Sequence, residues 1–183
     1  MTSPCTPINE EHFVEAECGV GDSAHFRVGV NDYIVAGFED GSLHLYNATK
    51  GFGNSYTRVR NTKNLSKSTA SPYDQFLESN YEHADAVMSV EMQPTKETPM
   101  ILTASKDGVI FLWSINPLAM PNDPEDEMMH FQCECSLNEP LTKAKWLSET
   151  EILVSTTSGH LYSMQVSKDS QNIPFLDRAV KVY

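Results

Sequence analysis

Apolar and polar residues alternate along most of this chain in short runs, and glycine-containing turns separate the runs. Three pairs of runs stand out. The first is Tyr33-Ile34-Val35-Ala36-Gly37-Phe38, the turn Glu39-Asp40-Gly41, and Ser42-Leu43-His44-Leu45-Tyr46. The second is Ile101 to Ser105, the turn Lys106-Asp107-Gly108, and Val109-Ile110-Phe111-Leu112-Trp113. The third is Glu151 to Thr156, the turn Thr157-Ser158-Gly159, and His160 to Met164. Period-two alternation predicts half-buried β-strands. Asp-Gly between two such runs predicts a hairpin closed by a type I′ turn, which needs φ > 0 at both central residues. The expected corners are Asp40 with Gly41, Asp107 with Gly108, and Ser158 with Gly159. Helical periodicity is nearly absent.

Each hairpin has strand-like neighbours. Ala24–Val30, Ala86–Met92 and Leu141–Leu147 precede the three pairs, and Tyr56–Arg60, Met129–Cys135 and Arg178–Tyr183 follow them. His12–Ala16 reads as one further strand. The pattern predicts a single all-β domain over residues 1–183, built of units at about 24–80, 81–135 and 140–183 with four strands each. Residues 48–80, rich in Ser, Thr, Asn and Gly, read as a long polar loop, and residues 116–128 as a Pro-rich acidic one.

The middle unit carries an apparent catalytic constellation. His83, Ser105 and Asp107 supply the residue types of a Ser-His-Asp hydrolase, although no Gly-x-Ser-x-Gly elbow surrounds the serine. Residues 81–115 also resemble one blade of a WD-repeat β-propeller. That resemblance implies a structural role instead. A His before the first strand, a Ser or Thr on the second, an Asp at the turn and a Trp on the third form a hydrogen-bonded set, here His83, Ser105, Asp107 and Trp113. Left unpaired, such buried groups would each cost about 1–3 kcal/mol.

The other units depart from the family pattern. The first keeps Asp40 but closes on Tyr46-Asn47, and His25 is its nearest candidate for the His. The third has Ser158 at the turn and Met164 at the closing position, and the middle unit itself ends Trp113-Ser114. The turn glycines lie farther apart than the about 40–45 residues of a WD repeat, the long loops taking up the excess.

The resemblance implies a partial β-propeller of three four-stranded blades plus one N-terminal strand. Known rings have about four to eight blades. The isolated chain is therefore expected to oligomerise, to aggregate, or to need a partner or a longer chain to close the ring. The implied function is a non-catalytic scaffold for protein–protein interaction. Tyr81–Val87 looks like the blade start of the WD-repeat partner in an arginine methyltransferase complex, the methylosome, which would imply a substrate-presenting adaptor. Divergent nucleoporin propellers are similar too. The Ser-His-Asp hydrolase stands as the enzyme alternative.

Composition narrows the partners. The formal net charge is −12 over 183 residues. So acidic a chain repels nucleic-acid phosphates and anionic lipid, and attracts basic protein segments. No apolar stretch approaches the roughly 20 residues of a membrane span. No basic region followed by an apolar run opens the chain, so an intracellular location, cytoplasmic or nuclear, is expected. Free thiols are then the default for Cys5, Cys18, Cys133 and Cys135. Cys133 and Cys135 alternate on one strand face without the further ligands a zinc site needs. Glu125-Asp126-Glu127 reads as a solvated run, and Ser66, Ser68, Thr69 and Ser71 as residues of a polar loop open to phosphorylation. No glycine-rich phosphate loop or HExxH motif is present, so no cofactor or metal is expected.

The polar composition of residues 48–80 makes this segment the expected first site of limited proteolysis, at Arg58, Arg60, Lys63 or Lys67. Mapping of the first fragments by mass spectrometry tests this, and initial cleavage inside 101–115 would contradict it.

Overall fold

The structure, a computed structural model, describes residues 18–49, 56–58, 83–95, 99–116 and 129–183. Within them lie three antiparallel sheets. Blade 1 runs β1 (Val20–Val28), β2 (Asn31–Phe38), β3 (Leu43–Asn47) and β4 (Tyr56–Arg58). Blade 2 runs β5 (Val87–Met92), β6 (Met100–Ser105), β7 (Val109–Ile115) and β8 (Met129–Ser136). Blade 3 runs β9 (Leu141–Trp146), β10 (Glu151–Thr156), β11 (Leu161–Lys168), β12 (Pro174–Leu176) and β13 (Val180–Lys181). Each sheet is an up-and-down meander in chain order, and the first strands of successive blades lie side by side. No helix among the described residues is long and apolar enough to cross a membrane. The strand expected at 12–16, the bulk of both long loops, Cys5, the 66–71 serines and threonine and Glu125–Glu127 lie outside the described residues.

Several boundaries differ from expectation. β1 begins at Val20, because Val20 and Asp22 pair with Phe38 and Gly37 across a bulge. That stretch is Gly- and Asp-rich and hides the alternation. The last strand of blade 3 starts at Pro174 and is interrupted. β12 pairs with Val166–Lys168 and β13 with Tyr162 and Ser163 of the same neighbour.

The turns are not type I′. Gly41, Gly108 and Gly159 have φ of 86°, 85° and 80°, but Asp40, Asp107 and Ser158 are not in the positive-φ region. In each turn the glycine N–H donates to the residue three before it, Phe38, Ser105 or Thr156. This is the three-residue connection in which a type I turn is followed by a left-handed glycine. In the first two turns the Asp side chain is thereby freed to cap its own turn. Asp107 Oδ1 accepts from Val109 N at 2.8 Å, and Asp40 Oδ1 from Ser42 N at 2.9 Å.

The alternation expected to mark half-buried strands has a different cause in blade 2. Its odd-numbered side chains, Ile101, Phe111, Trp113 and Ile115, pack with Tyr33, Val35 and Leu43 of blade 1. Its even-numbered ones, Leu102, Ala104, Ile110 and Leu112, pack with Leu141, Ile152, Val154 and Met164 of blade 3. Blade 2 is buried on both faces, which is why its strands read as almost unbroken apolar runs. Gly37 makes the closeness of blades 1 and 2 feasible: a Cβ there would sit 2.3 Å from Val87 Cγ1.

Leu112, fully buried between blades 2 and 3, should lose about 2–5 kcal/mol of stability on replacement by Ala. Leu147→Ala, at a half-exposed position just past β9, should stay within about 0.5 kcal/mol. Urea unfolding of the two variants checks the contrast.

Candidate functional site

The hairpin β6–β7 and the segment leading into β5 bring four polar side chains together under blade 2. Trp113 Nε1–H donates to Thr103 Oγ1 at 3.0 Å. Thr103 Oγ1 also lies 3.0 Å from His83 Nε2, and His83 Nδ1 is 3.3 Å from Asp107 Oδ2. The set is complete with one ring proton on Nδ1. The indole then donates to the hydroxyl, the hydroxyl to Nε2, and Nδ1–H to the carboxylate. Asp107 Oδ2 also accepts from Ala84 N at 2.8 Å, which ties down the segment leading into the blade. His83 stacks on Phe111, ring centroids 4.3 Å apart, and its side chain is wholly inaccessible.

One expected member is displaced. Ser105 is not the hydroxyl of the set, and its Oγ–H donates to Asp85 O at 2.7 Å. Register explains why. Trp113 pairs with Ile101 and Phe111 with Thr103, so the indole reaches diagonally to Thr103. Ser105 lies a further two residues along β6, about 7 Å nearer the turn. Thr103 faces the same side and was concealed by its apolar neighbours.

Residues 75–114 match the family described as WD domain, G-beta repeat. The structure is also similar to the β-propeller domain of Myceliophteria thermophila Cps50 (Swd1), with TM-score 0.56 and 10% identity over 90% of this chain. The chain spans 44% of that domain, less than half its length. The C-terminal WD40 domain of Sif2 is a further similar structure, with TM-score 0.43 and 12% identity, covering 73% of this chain and 28% of that one. No curated protein sequence matches. The chain thus has the fold of part of a β-propeller, with a WD-repeat match over residues 75–114.

The flanking blades replace the WD set with other chemistry. In blade 1, Asp40 Oδ1 accepts from Ser42 Oγ at 2.6 Å, and Ser42 lies 3.4 Å from His44 Nε2. His25 is remote from this turn and pairs with Asp32 at 2.9 Å. In blade 3, Glu139 stands just before β9. It accepts from Tyr162 Oη at 2.7 Å and Thr156 Oγ1 at 3.0 Å, and its Oε2 lies 2.9 Å from His160 Nδ1. The Tyr162 and His160 bonds outweigh desolvation and hold its carboxyl at about 2. Sequence reading missed Glu139, which stands just before its blade's first strand where Asp85 stands in blade 2.

The described residues offer little else of chemical interest. They contain no group of three or more potential metal ligands. Cys18, Cys133 and Cys135 are free. Burial pushes the Cys133 thiol up to about 11 and raises that of Cys135, which keeps both protonated and unreactive. Where the first strands converge, Asp22 Oδ2 accepts from Lys143 Nζ at 2.6 Å and from Val90 N at 3.1 Å, binding all three blades.

Thr103→Val should cost about 1–3 kcal/mol, because it strands both the indole N–H and His83 Nε2, whereas the Ser105 reading expects it to be nearly neutral. Urea unfolding decides between them. Asp107 carries a sign. Burial raises its carboxyl, but the His83, Val109 and Ala84 bonds together hold it below its usual value of 3.8. Folding therefore favours the carboxylate, and its contribution is full at neutral pH and lost as pH falls below about 4. The stability gap between wild type and Asp107→Asn should narrow on acidification through that range.

Proposed function

We propose that this chain is a non-catalytic scaffold that holds other proteins within a multiprotein complex. The observation that carries the reading is the closure of the WD set. Thr103, His83 and Asp107 are linked in the order of a nucleophile, base and orienting acid, but Thr103 is wholly buried and its oxygen already receives the Trp113 N–H. A nucleophile needs an open approach and donors placed around the reacting carbonyl. Here the approach is filled by the stacked Phe111 ring and the sheet itself. Ser105, also fully buried, donates to a backbone carbonyl.

The acidic balance favours partners with basic segments over nucleic acid or membrane surfaces. The same reading places the chain inside the cell, in cytoplasm or nucleus. A narrower role, presenting substrates to an arginine methyltransferase, is supported only by the likeness of Tyr81–Val87 to a methylosome blade start.

Two measurements test the proposal. A fluorophosphonate probe should leave Thr103 and Ser105 unlabelled in the native protein, and stoichiometric labelling of either would sink the scaffold reading. Affinity purification with mass spectrometry should recover a defined set of proteins. A methyltransferase among them would narrow the role to an adaptor.

A further inference from the structure

The turns of the three blades are built alike but not charged alike. Glu39 N donates to Gly19 O, Lys106 N to Ala86 O and Thr157 N to Pro140 O, and a positive-φ glycine follows two residues after each donor. Asp40, Asp107 and Ser158 therefore share one position, and Ser42, Val109 and His160 another. Counted back from the acceptors, Asn138 of blade 3 stands where Ala84 stands in blade 2. In blades 1 and 2 the shared position holds a carboxylate that binds backbone. Asp40 Oδ1 accepts from Ser42 N, Asp107 Oδ1 from Val109 N, and Asp107 Oδ2 from Ala84 N. Blade 3 keeps the donors, with a hydroxyl in place of the anion. His160 N reaches only Thr156 Oγ1, at 3.3 Å, and Asn138 N has no acceptor among the described residues.

The same hydroxyl is the one an enzyme can reach. Those of Thr142, Ser155, Thr156, Ser163 and Ser167 are bonded within blade 3. Ser158 is exposed and makes no hydrogen bond among the described residues. Its turn is also open. A Cβ built on Gly41 would lie 2.0 Å from His83 O, and one on Gly108 would lie 2.9 Å from Glu139 O, but at Gly159 no described atom comes within 4 Å. The two turns covered by backbone carry a built-in anion, and the open turn carries a serine. Thr157, the exposed neighbour, stands where Glu39 and Lys106 stand, a place that caps no amide of its own turn.

We propose that Ser158 is a phosphorylation site, and that phosphoserine gives blade 3 the anionic cap that Asp40 and Asp107 give the other two. In the transfer, Ser158 Oγ bonds to the γ-phosphorus of a nucleoside triphosphate as the bond to the bridging oxygen breaks. The hydroxyl proton passes to the kinase's base, and the nucleoside diphosphate leaves. The product carries about two negative charges at neutral pH and three strong acceptor oxygens, which suit the His160 and Asn138 N–H groups. Glu139 is an anion at the same end of the blade. Asp85 and Asp107 hold these two places together in blade 2, so the fold accommodates the pair, and Glu139 is already engaged by Tyr162, Thr156 and His160. The inference stands apart from the scaffold reading.

Phosphopeptide mapping of the full chain, recovered under phosphatase inhibition from the cells that make it, should place phosphate on Ser158 within the tryptic peptide 146–168. In the purified chain, phosphoserine installed at 158 during synthesis should slow hydrogen exchange at His160 N–H about tenfold relative to Ser158→Ala, the effect of one charge-assisted hydrogen bond. Ser158→Asp should slow it in the same direction. Thr157→Asp, which adds a charge one residue earlier, should leave it unchanged. Ser158 and Thr157 are exposed, so these variants keep the fold, and circular dichroism checks that they do. The peptide recovered in depth with Ser158 never modified, phosphate on Thr157 in its place, or exchange at His160 as fast in the phosphoprotein as in Ser158→Ala would each overturn the inference.

Discussion

A sheet buried on both faces has no solvent side on which to place its polar atoms, and blade 2 is such a sheet. Every hydroxyl, imidazole or indole that its strands carry must find a partner inside the protein, or cost about 1–3 kcal/mol. Its interior polar groups meet that condition. Ser89 Oγ donates to Ala144 O at 2.9 Å, which stitches blade 2 to blade 3. Ser105 binds the Asp85 carbonyl, and the single hydroxyl of Thr103 serves the Trp113 and His83 rings at once. The histidine–aspartate pair that resembles catalytic machinery is thus a consequence of sandwiching, because the chain leading into the blade must also be anchored without water.

The same constraint relaxes toward the flanks, and the chemistry changes with it. Blade 3 is packed against a described blade on one face only, and its turn is organised by Glu139, a partly exposed carboxylate gathering Tyr162, His160 and Thr156. Blade 1 uses a self-capped Asp40 and Ser42. Neither needs the indole relay, and the position of Trp113 is filled by Met164 in blade 3. The other tryptophan, Trp146 on β9, has no partner for its indole N–H among the described residues. A tryptophan alone therefore does not mark the WD set, which requires the diagonal hydroxyl on the adjacent strand.

Much of this architecture was legible in the residues. The hairpins, their corner glycines and the four-strand rhythm follow from period-two runs and turn chemistry, which are local. What escaped was non-local. That Ile101–Ser105 and Val109–Trp113 are buried on both faces is a property of two neighbouring blades, and no window within blade 2 contains it. The choice between Thr103 and Ser105 depended on cross-strand register, which a two-residue shift along one strand reverses. Turn type depended on hydrogen bonding across three residues, so an Asp-Gly pair suited to two geometries pointed to the wrong one. The start of β1 was hidden because Gly21 and Asp22 serve contacts with Val87 and Lys143 in later blades, at the expense of strand propensity.

The ion pair between Asp22 and Lys143 has a bearing on how the chain reaches its fold. The strand pairings within each blade join segments close in sequence, so each meander can form with little loop-closure entropy. Asp22 and Lys143 stand 121 positions apart, and their contact cannot exist until blade 3 has been made and has arrived beside the inner strands. The Val90 amide that also binds Asp22 lies in blade 2, so that partner is synthesised well before the cation. The lysine therefore acts as a late latch. Ionic strength, which screens partly exposed pairs, acts on this contact between the first and last blades more than on the apolar packing within or between them.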